Sequence, residues 1–341
     1  MDSAASCDTL YFASDASTRS RGNIDEPSST VAGATPFTRT SGANATASSR
    51  TRWFAAALLV SYANEPALGT TAFTLVVMTR LPARPCAFQI RHASPYVKLA
   101  KRVHAGEIGT PVSGEIHYFA SAIKRPEWAD ATPQARRLRN WVHDIALSGD
   151  IIVEQNIHII DVTNWLLKAN PVKAVGSASR AGRTDQGDCS SHYNCVFTYP
   201  GNVHVSFAST QFTGAKWGGV GMQYYGTKGW AEARYDAPVR ISAESEWEFP
   251  GLKKPEPTDA AAAVTGAFRG ALDDADPNKQ KAFIESITSG NLVNEAQSGV
   301  DSALACMLGR EAAATGKEVT WEKLLKSKTV FDPKIDWKPF V

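Results

Sequence analysis

The sequence predicts an α/β (α+β) fold: a mostly antiparallel open sheet with helices packed on one face, preceded by a disordered N-terminal segment. Three observations predict it. From residue 87 onward, β-rich segments are enclosed at both ends by segments of helical spacing, the order of an α+β layer. The first 50 residues are dominated by Ser, Thr, Ala and Gly and carry neither a helical nor a strand period. No lysine occurs before Lys98, whereas lysines are frequent after it.

These shifts divide the chain. Residues 1–86 read as a low-complexity segment, disordered or non-native, and residues 87–341 as one folded domain. An initiator at Met78 would remove most of the biased segment, and a reading frame altered upstream of about Cys86 is the favoured explanation. Trp53 to Val60 is apolar and follows Arg50 and Arg52, but it is too short to span a bilayer and too far from Met1 for a secretory signal. The 36 basic and 34 acidic residues leave a charge of +2 without a long basic stripe, which argues against nucleic-acid and membrane partners. Cys7, Cys86, Cys189, Cys195 and Cys306 form neither a disulfide framework nor a C-x-x-C metal spacing. A reducing, cytoplasmic compartment and no metal are the expectation.

The elements follow in order. Ser94-Pro95 supplies a cap and a first-turn proline for a helix carrying Val97, Leu99, Ala100 and Val103, closed by Gly106. Val112 to Ala120 is a strand, and a single helix is expected over Ile151 to Leu167. Strands follow at Pro171–Ser177, His192–Tyr199 and Asn202–Phe212, the last alternating Val203, Val205 and Phe207 against His204 and Ser206. Gln223 to Tyr235 reads as a hairpin turning at residues 226–229, and Val239–Ala243 as another strand. A helix begins at Asp276-Pro277, buries Phe283, Ile284 and Ile287, and ends at Gly290. Asn294–Thr315 forms a longer one with Val300, Leu304, Met307 and Leu308 on one face, and Thr320 caps a last short helix.

The densest polar cluster lies in residues 148–167. On one helix, Glu154, His158 and Asp161 would share a face, where a carboxylate can orient an imidazole and raise its basicity for proton exchange near neutral pH. An ordinary Glu–His helix pair, worth a few tenths of a kcal/mol, explains the same spacing; a partial metal ligand set is the third reading. Arg136, Arg137 and Arg139 before Asn140-Trp141 could meet a hydroxylated or acidic ligand, or form a solvated basic loop. Tyr118, Trp217 and Tyr224 could line a carbohydrate pocket or simply pack the sheet. Gly218-Gly219-Val220-Gly221 lacks the third glycine of a nucleotide loop and reads as a bend or bulge.

Four stretches, RHASPYVKLAKRVHAGEIGTP, RRLRNWVHDIALSGDIIVEQNIHIIDVTNWLL, YGTKGW and NEAQSGVDSALACMLGREAAATGKEVTWEKLL, resemble in order the C-terminal half of the Gfo/Idh/MocA (glucose–fructose oxidoreductase, inositol dehydrogenase, rhizopine catabolism) family. The resemblance implies an NAD- or NADP-dependent oxidoreductase acting on a sugar, polyol or related substrate, with homo-oligomer contacts through the open sheet face. It implies that Glu154 and His158 are the catalytic pair in the substrate pocket, with Glu154 standing where Asp is commoner and Asn156 where glycine is frequent. Asn156, Arg139 and Trp141 are the candidate substrate contacts, while Asp161 reads as structural. Residues 1–90 hold no G-x-G-x-x-G turn, and the family's Glu-Lys-Pro motif is absent; Lys253-Lys254-Pro255 is no substitute. The chain alone is therefore expected to lack cofactor-binding residues and to be inactive. A non-catalytic module that oligomerises or pairs with a full-length homologue is the alternative, as is an enzyme borrowing its cofactor domain from another subunit.

Overall fold

The computed structural model describes residues 88–336 apart from 124–126, 184–186, 214–218, 253–269 and 292. The expectations for residues 1–87, for Trp217 and Gly218 and for Lys253-Lys254-Pro255 lie outside the described residues.

One nine-stranded sheet organises the chain, in the order β8-β7-β6-β5-β1-β4-β3-β2-β9. Its central strand β1 (Pro111–Ser121) pairs in parallel with β4 (Val203–Thr213) and antiparallel with β5 (Gly219–Gly226). On one side β2 (Lys173–Ser179), β3 (His192–Tyr199) and β4 form a meander, with β9 (Val319–Thr320) at the edge. On the other, β6 (Trp230–Arg234), β7 (Val239–Ser242) and β8 (Trp247–Glu248) continue from β5. Among the described residues, all the pairings but β1–β4 are antiparallel. The alternation of β4 holds: Val203, Val205 and Phe207 are buried and His204 and Ser206 exposed.

The helices cover one face. In chain order they are α1 (Ser94–His104), α2 (Pro133–Arg139), α3 (Ile145–Ser148), α4 (Ile151–Glu154), α5 (Ile157–Leu167), α6 (Ala275–Thr288), α7 (Ala296–Thr315) and α8 (Trp321–Leu325). α5 packs on β1 and β5, α7 on β2 and β3, and α1 on β6 and β7. Each fully buried Leu or Ile, such as Leu99, Ile116 or Ile159, contributes about 1.5–3 kcal/mol. Thr320 caps α8 by accepting from the Lys323 N–H at 3.2 Å, as the sequence indicated. The Ser94 hydroxyl caps nothing; instead its N–H donates to Asp274.

Two expectations are corrected, and the face of α7 is extended. The helix over 151–167 is two helices, because the Gln155 and Asn156 N–H groups both reach back to the Ile151 carbonyl and the Asn156 carbonyl then starts a new ladder. Positions eight apart on a continuous helix are turned by about 80°. The opened turn lets Ile151 and Ile152 enter the core together with Ile159 and Ile160, all at 1% exposure or less. In α6, Phe283, Ile284 and Ile287 are exposed rather than buried, because the described chain packs against that helix through its N-terminal part and Ser286. In α7 the fully buried stripe is mostly small, Ser302, Ala305, Cys306, Gly309 and Ala312, with Leu308. There the helix lies so close to the sheet that a Cβ on Gly309 would come within 2.7 Å of the Phe197 ring.

Candidate active site

The opened turn between α4 and α5 is where the polar residues gather, and Asp150 anchors its approach. Asp150 is buried with φ +76, a backbone strain of about 1–3 kcal/mol for a non-glycine residue. Four bonds hold it there: its carboxylate accepts from the Ile151 N–H, the Ser190 N–H and hydroxyl, and the Tyr193 hydroxyl, all at 2.7–2.8 Å. The start of α4 is thus fastened to β3 and the loop before it. Glu154 ends α4, partly exposed, and burial raises its carboxyl to about 7.

His158 stands one turn into α5 at 9% exposure, edge-on to Phe88 with ring centroids 6.1 Å apart. Burial above all, with Lys279 of α6 adding to it and Asp276 opposing, lowers its imidazole to about 4. It is therefore neutral at physiological pH. Glu154 is not among the charges acting on it, and no hydrogen bond joins the two side chains. The mutual tuning foreseen from a continuous helix is absent because the broken turn intervenes. Asp161 has the structural role expected of it. It is fully buried, accepts from Arg91 Nε and Nη2 at 2.8 Å each and from the Ser302 hydroxyl at 2.7 Å, and so ties α5 to α7 and to the 3₁₀ turn Gln89–His92. Burial pushes its carboxyl up, while Arg91 and Ser302 pull it down.

Near this junction lie buried polar atoms that have no partner among the described residues: both amide atoms of Gln89, both of Asn156, and His158 Nδ1. Gln89 and Asn156 are fully buried. Each such atom costs about 1–3 kcal/mol when unpaired, so a fold that keeps five of them invites an explanation outside packing. Asn156 was legible as a candidate; Gln89 was not, because it lies 67 positions earlier in a stretch without helical or strand periodicity.

A second set of polar residues escaped the sequence reading because it assembles from four segments. Gln155 accepts from Gln211 Nε2 at 3.4 Å, Gln211 accepts from Arg183 Nη1 at 3.0 Å, and Arg183 Nη2 meets His143 Nδ1 at 3.0 Å. The basic loop is engaged elsewhere: Arg139 stacks on Trp128 at 4.9 Å, Arg137 binds Asp144 and the Pro333 carbonyl, and Arg136 donates to the Ala131 carbonyl. Trp141, in a short 3₁₀ turn, is partly exposed. Tyr118 and Tyr224 are core residues, Tyr118 edge-on to Tyr235 and Tyr224 bonded to Thr163 at 2.7 Å.

The glycine-rich stretch around Gly219 is not arranged as a phosphate-binding turn. Gly219 and Gly221 lie within β5, opposite Phe119 and His117, and no helix N-terminus follows them to receive a pyrophosphate. Among the described residues no group of His, Cys, Asp or Glu is arranged to hold a metal, and no helix is long and apolar enough to cross a membrane. A depression of about 550 Å³ lies on the open sheet face, lined by Glu115, His117, Phe119, Val175 and Val196, and does not include His158.

Residues 96–232 match the family described as the GFO/IDH/MocA C-terminal domain. No curated protein matches the sequence. Similar solved structures include an oxidoreductase domain protein from Kribbella flavida (14% identity, TM-score 0.56, covering 74% of this chain and 70% of that one). Others are myo-inositol 2-dehydrogenase from Lactobacillus plantarum (18%, 0.53, 74% and 69%) and aldose-aldose oxidoreductase from Caulobacter crescentus, solved with glycerol (14%, 0.52, 74% and 68%). The chain spans between 62% and 71% of the length of the solved proteins it resembles. At these identities the likeness is one of fold.

Proposed function

We propose, from the match of residues 96–232 to the family described as the GFO/IDH/MocA C-terminal domain, that this chain binds a sugar or polyol at the α4–α5 turn, with His158 and Glu154 as its proton-transfer residues. The observation that carries the reading is the buried imidazole of His158, whose Nδ1 has no partner among the described residues and which burial holds at about 4, in the helix that follows Glu154, whose carboxyl burial raises to about 7. A neutral imidazole accepts the proton of a substrate hydroxyl, and a carboxyl poised near neutral pH gives or takes one on either side of it. NAD or NADP serves as hydride acceptor in such oxidoreductases. Within this reading, the residues of this chain that we assign supply the substrate and proton half of the reaction. A polyol substrate is favoured by the inositol dehydrogenase and aldose oxidoreductase among the similar folds. Free, buried Cys189, Cys195 and Cys306 suit the reducing cytoplasm.

Ligand-observed NMR on the full chain tests this. Saturation transfer to a neutral polyol such as myo-inositol, lost in His158→Ala, is the expected result. Absence of transfer to every polyol overturns the substrate reading.

A second reading, an assembly module, draws support from the open sheet face. Phe119, Val175 and Val196 are exposed there, Val175 directly opposite Val196, an apolar surface suited to a second copy of the chain. Sedimentation of the chain as a monomer alone and with a full-length homologue would remove it.

A further inference from the structure

We infer that Gln89 is a specificity-determining residue of the polyol site, and that its carboxamide and that of Asn156 together read adjacent hydroxyl groups of an uncharged ligand. The inference rests on the polyol reading above and adds to it a residue and a selectivity. Gln89 opens the 3₁₀ turn that packs on α5 and α6, and its neighbour Phe88 meets the His158 ring. Asn156 precedes α5, two positions before His158. Both residues are at 0% exposure, and all four of their side-chain polar atoms are without partners among the described residues. A carboxamide offers a donor and an acceptor side by side. A hydroxyl offers both as well, so two amides suit vicinal hydroxyls better than a carboxylate or phosphate, which accepts only.

Charge at the junction favours the same choice. Arg91 is held bidentate by Asp161, and Lys279 of α6 is paired with Asp276 at 2.8 Å. Each of these two cations already faces a carboxylate, so neither is set aside for an anionic sugar.

Gln89→Met removes both polar atoms at nearly constant volume. Thermal unfolding of the full chain, wild type and variant, would be followed alone and with neutral polyols (myo-inositol, glucose, glycerol) or glucuronate. Wild type should be stabilised by a neutral polyol and not by glucuronate. Gln89→Met should have a higher Tm without ligand, because an unpaired buried amide is gone, and should bind the polyol roughly tenfold or more weakly. A lower ligand-free Tm would show the amide to be structural and overturn the inference. An undiminished polyol response in the variant, or equal stabilisation of wild type by glucuronate, overturns it while leaving the polyol site at His158 standing. A wild type that responds to no neutral polyol sinks both.

Discussion

Removing the Asp161 carboxylate should cost this protein more than any single surface change. Asp161→Ala takes away the acceptor of two Arg91 bonds and one Ser302 bond, all at 2.7–2.8 Å and all reaching a fully buried group. Breaking a buried ion pair from one side costs about 3–5 kcal/mol, largely because the other charge stays behind. The Arg91 side chain keeps 17% exposure and stacks on Trp165, so the lower figure applies, about 3 kcal/mol. For a folded unit of this size that is a fall in Tm of about 6–12 °C. The assay is thermal unfolding of Asp161→Ala, Arg91→Ala and the double variant. The double should lose little beyond Asp161→Ala, a coupling of at least about 1.5 kcal/mol. Strict additivity, or a loss within about 0.5 kcal/mol for Asp161→Ala, would refute the reasoning. The same variant should loosen the Gln89–His92 turn, and with it the surroundings of His158.

Glu154 has a carboxyl raised from 4.5 to about 7, so the stability tied to its protonated form is full below about pH 4.5 and lost as pH rises through 7. Glu154→Gln should therefore unfold at the wild-type temperature near pH 4.5 and be more stable at pH 8.5. Allowing for its partial exposure, the gain is about 1–2 kcal/mol; a difference independent of pH would show that the carboxyl is not perturbed. Gly309→Val places methyl groups where a Cβ alone meets the Phe197 ring at 2.7 Å and Ile152 at 3.0 Å. It should lower the urea midpoint by an amount equivalent to about 1–3 kcal/mol, and an unchanged midpoint would mean that α7 does not approach the sheet that closely.

How much of this was legible in the sequence follows from the range of the forces involved. Local chemistry determined the strands and their faces, as in Val203, Val205 and Phe207 of β4, the turn at residues 226–229, and the Thr320 cap, because each depends on residues only a few positions apart. The cluster Glu154, Asn156 and His158, which we propose as the site, was visible in the sequence too, and the family resemblance noted there agrees with the match over residues 96–232. Tertiary structure decided the rest. It opened the helix at Gln155 and Asn156 to bury two isoleucine pairs, and so removed the Glu154–His158 coupling that spacing alone suggested. It left Phe283, Ile284 and Ile287 exposed although their spacing is that of a core face, since periodicity marks an apolar stripe and not what covers it. It brought Gln89 to the junction beside α5, and Gln211, Arg183 and His143 into one network with Gln155. No local pattern encodes such meetings; they exist only once a common core holds distant segments together.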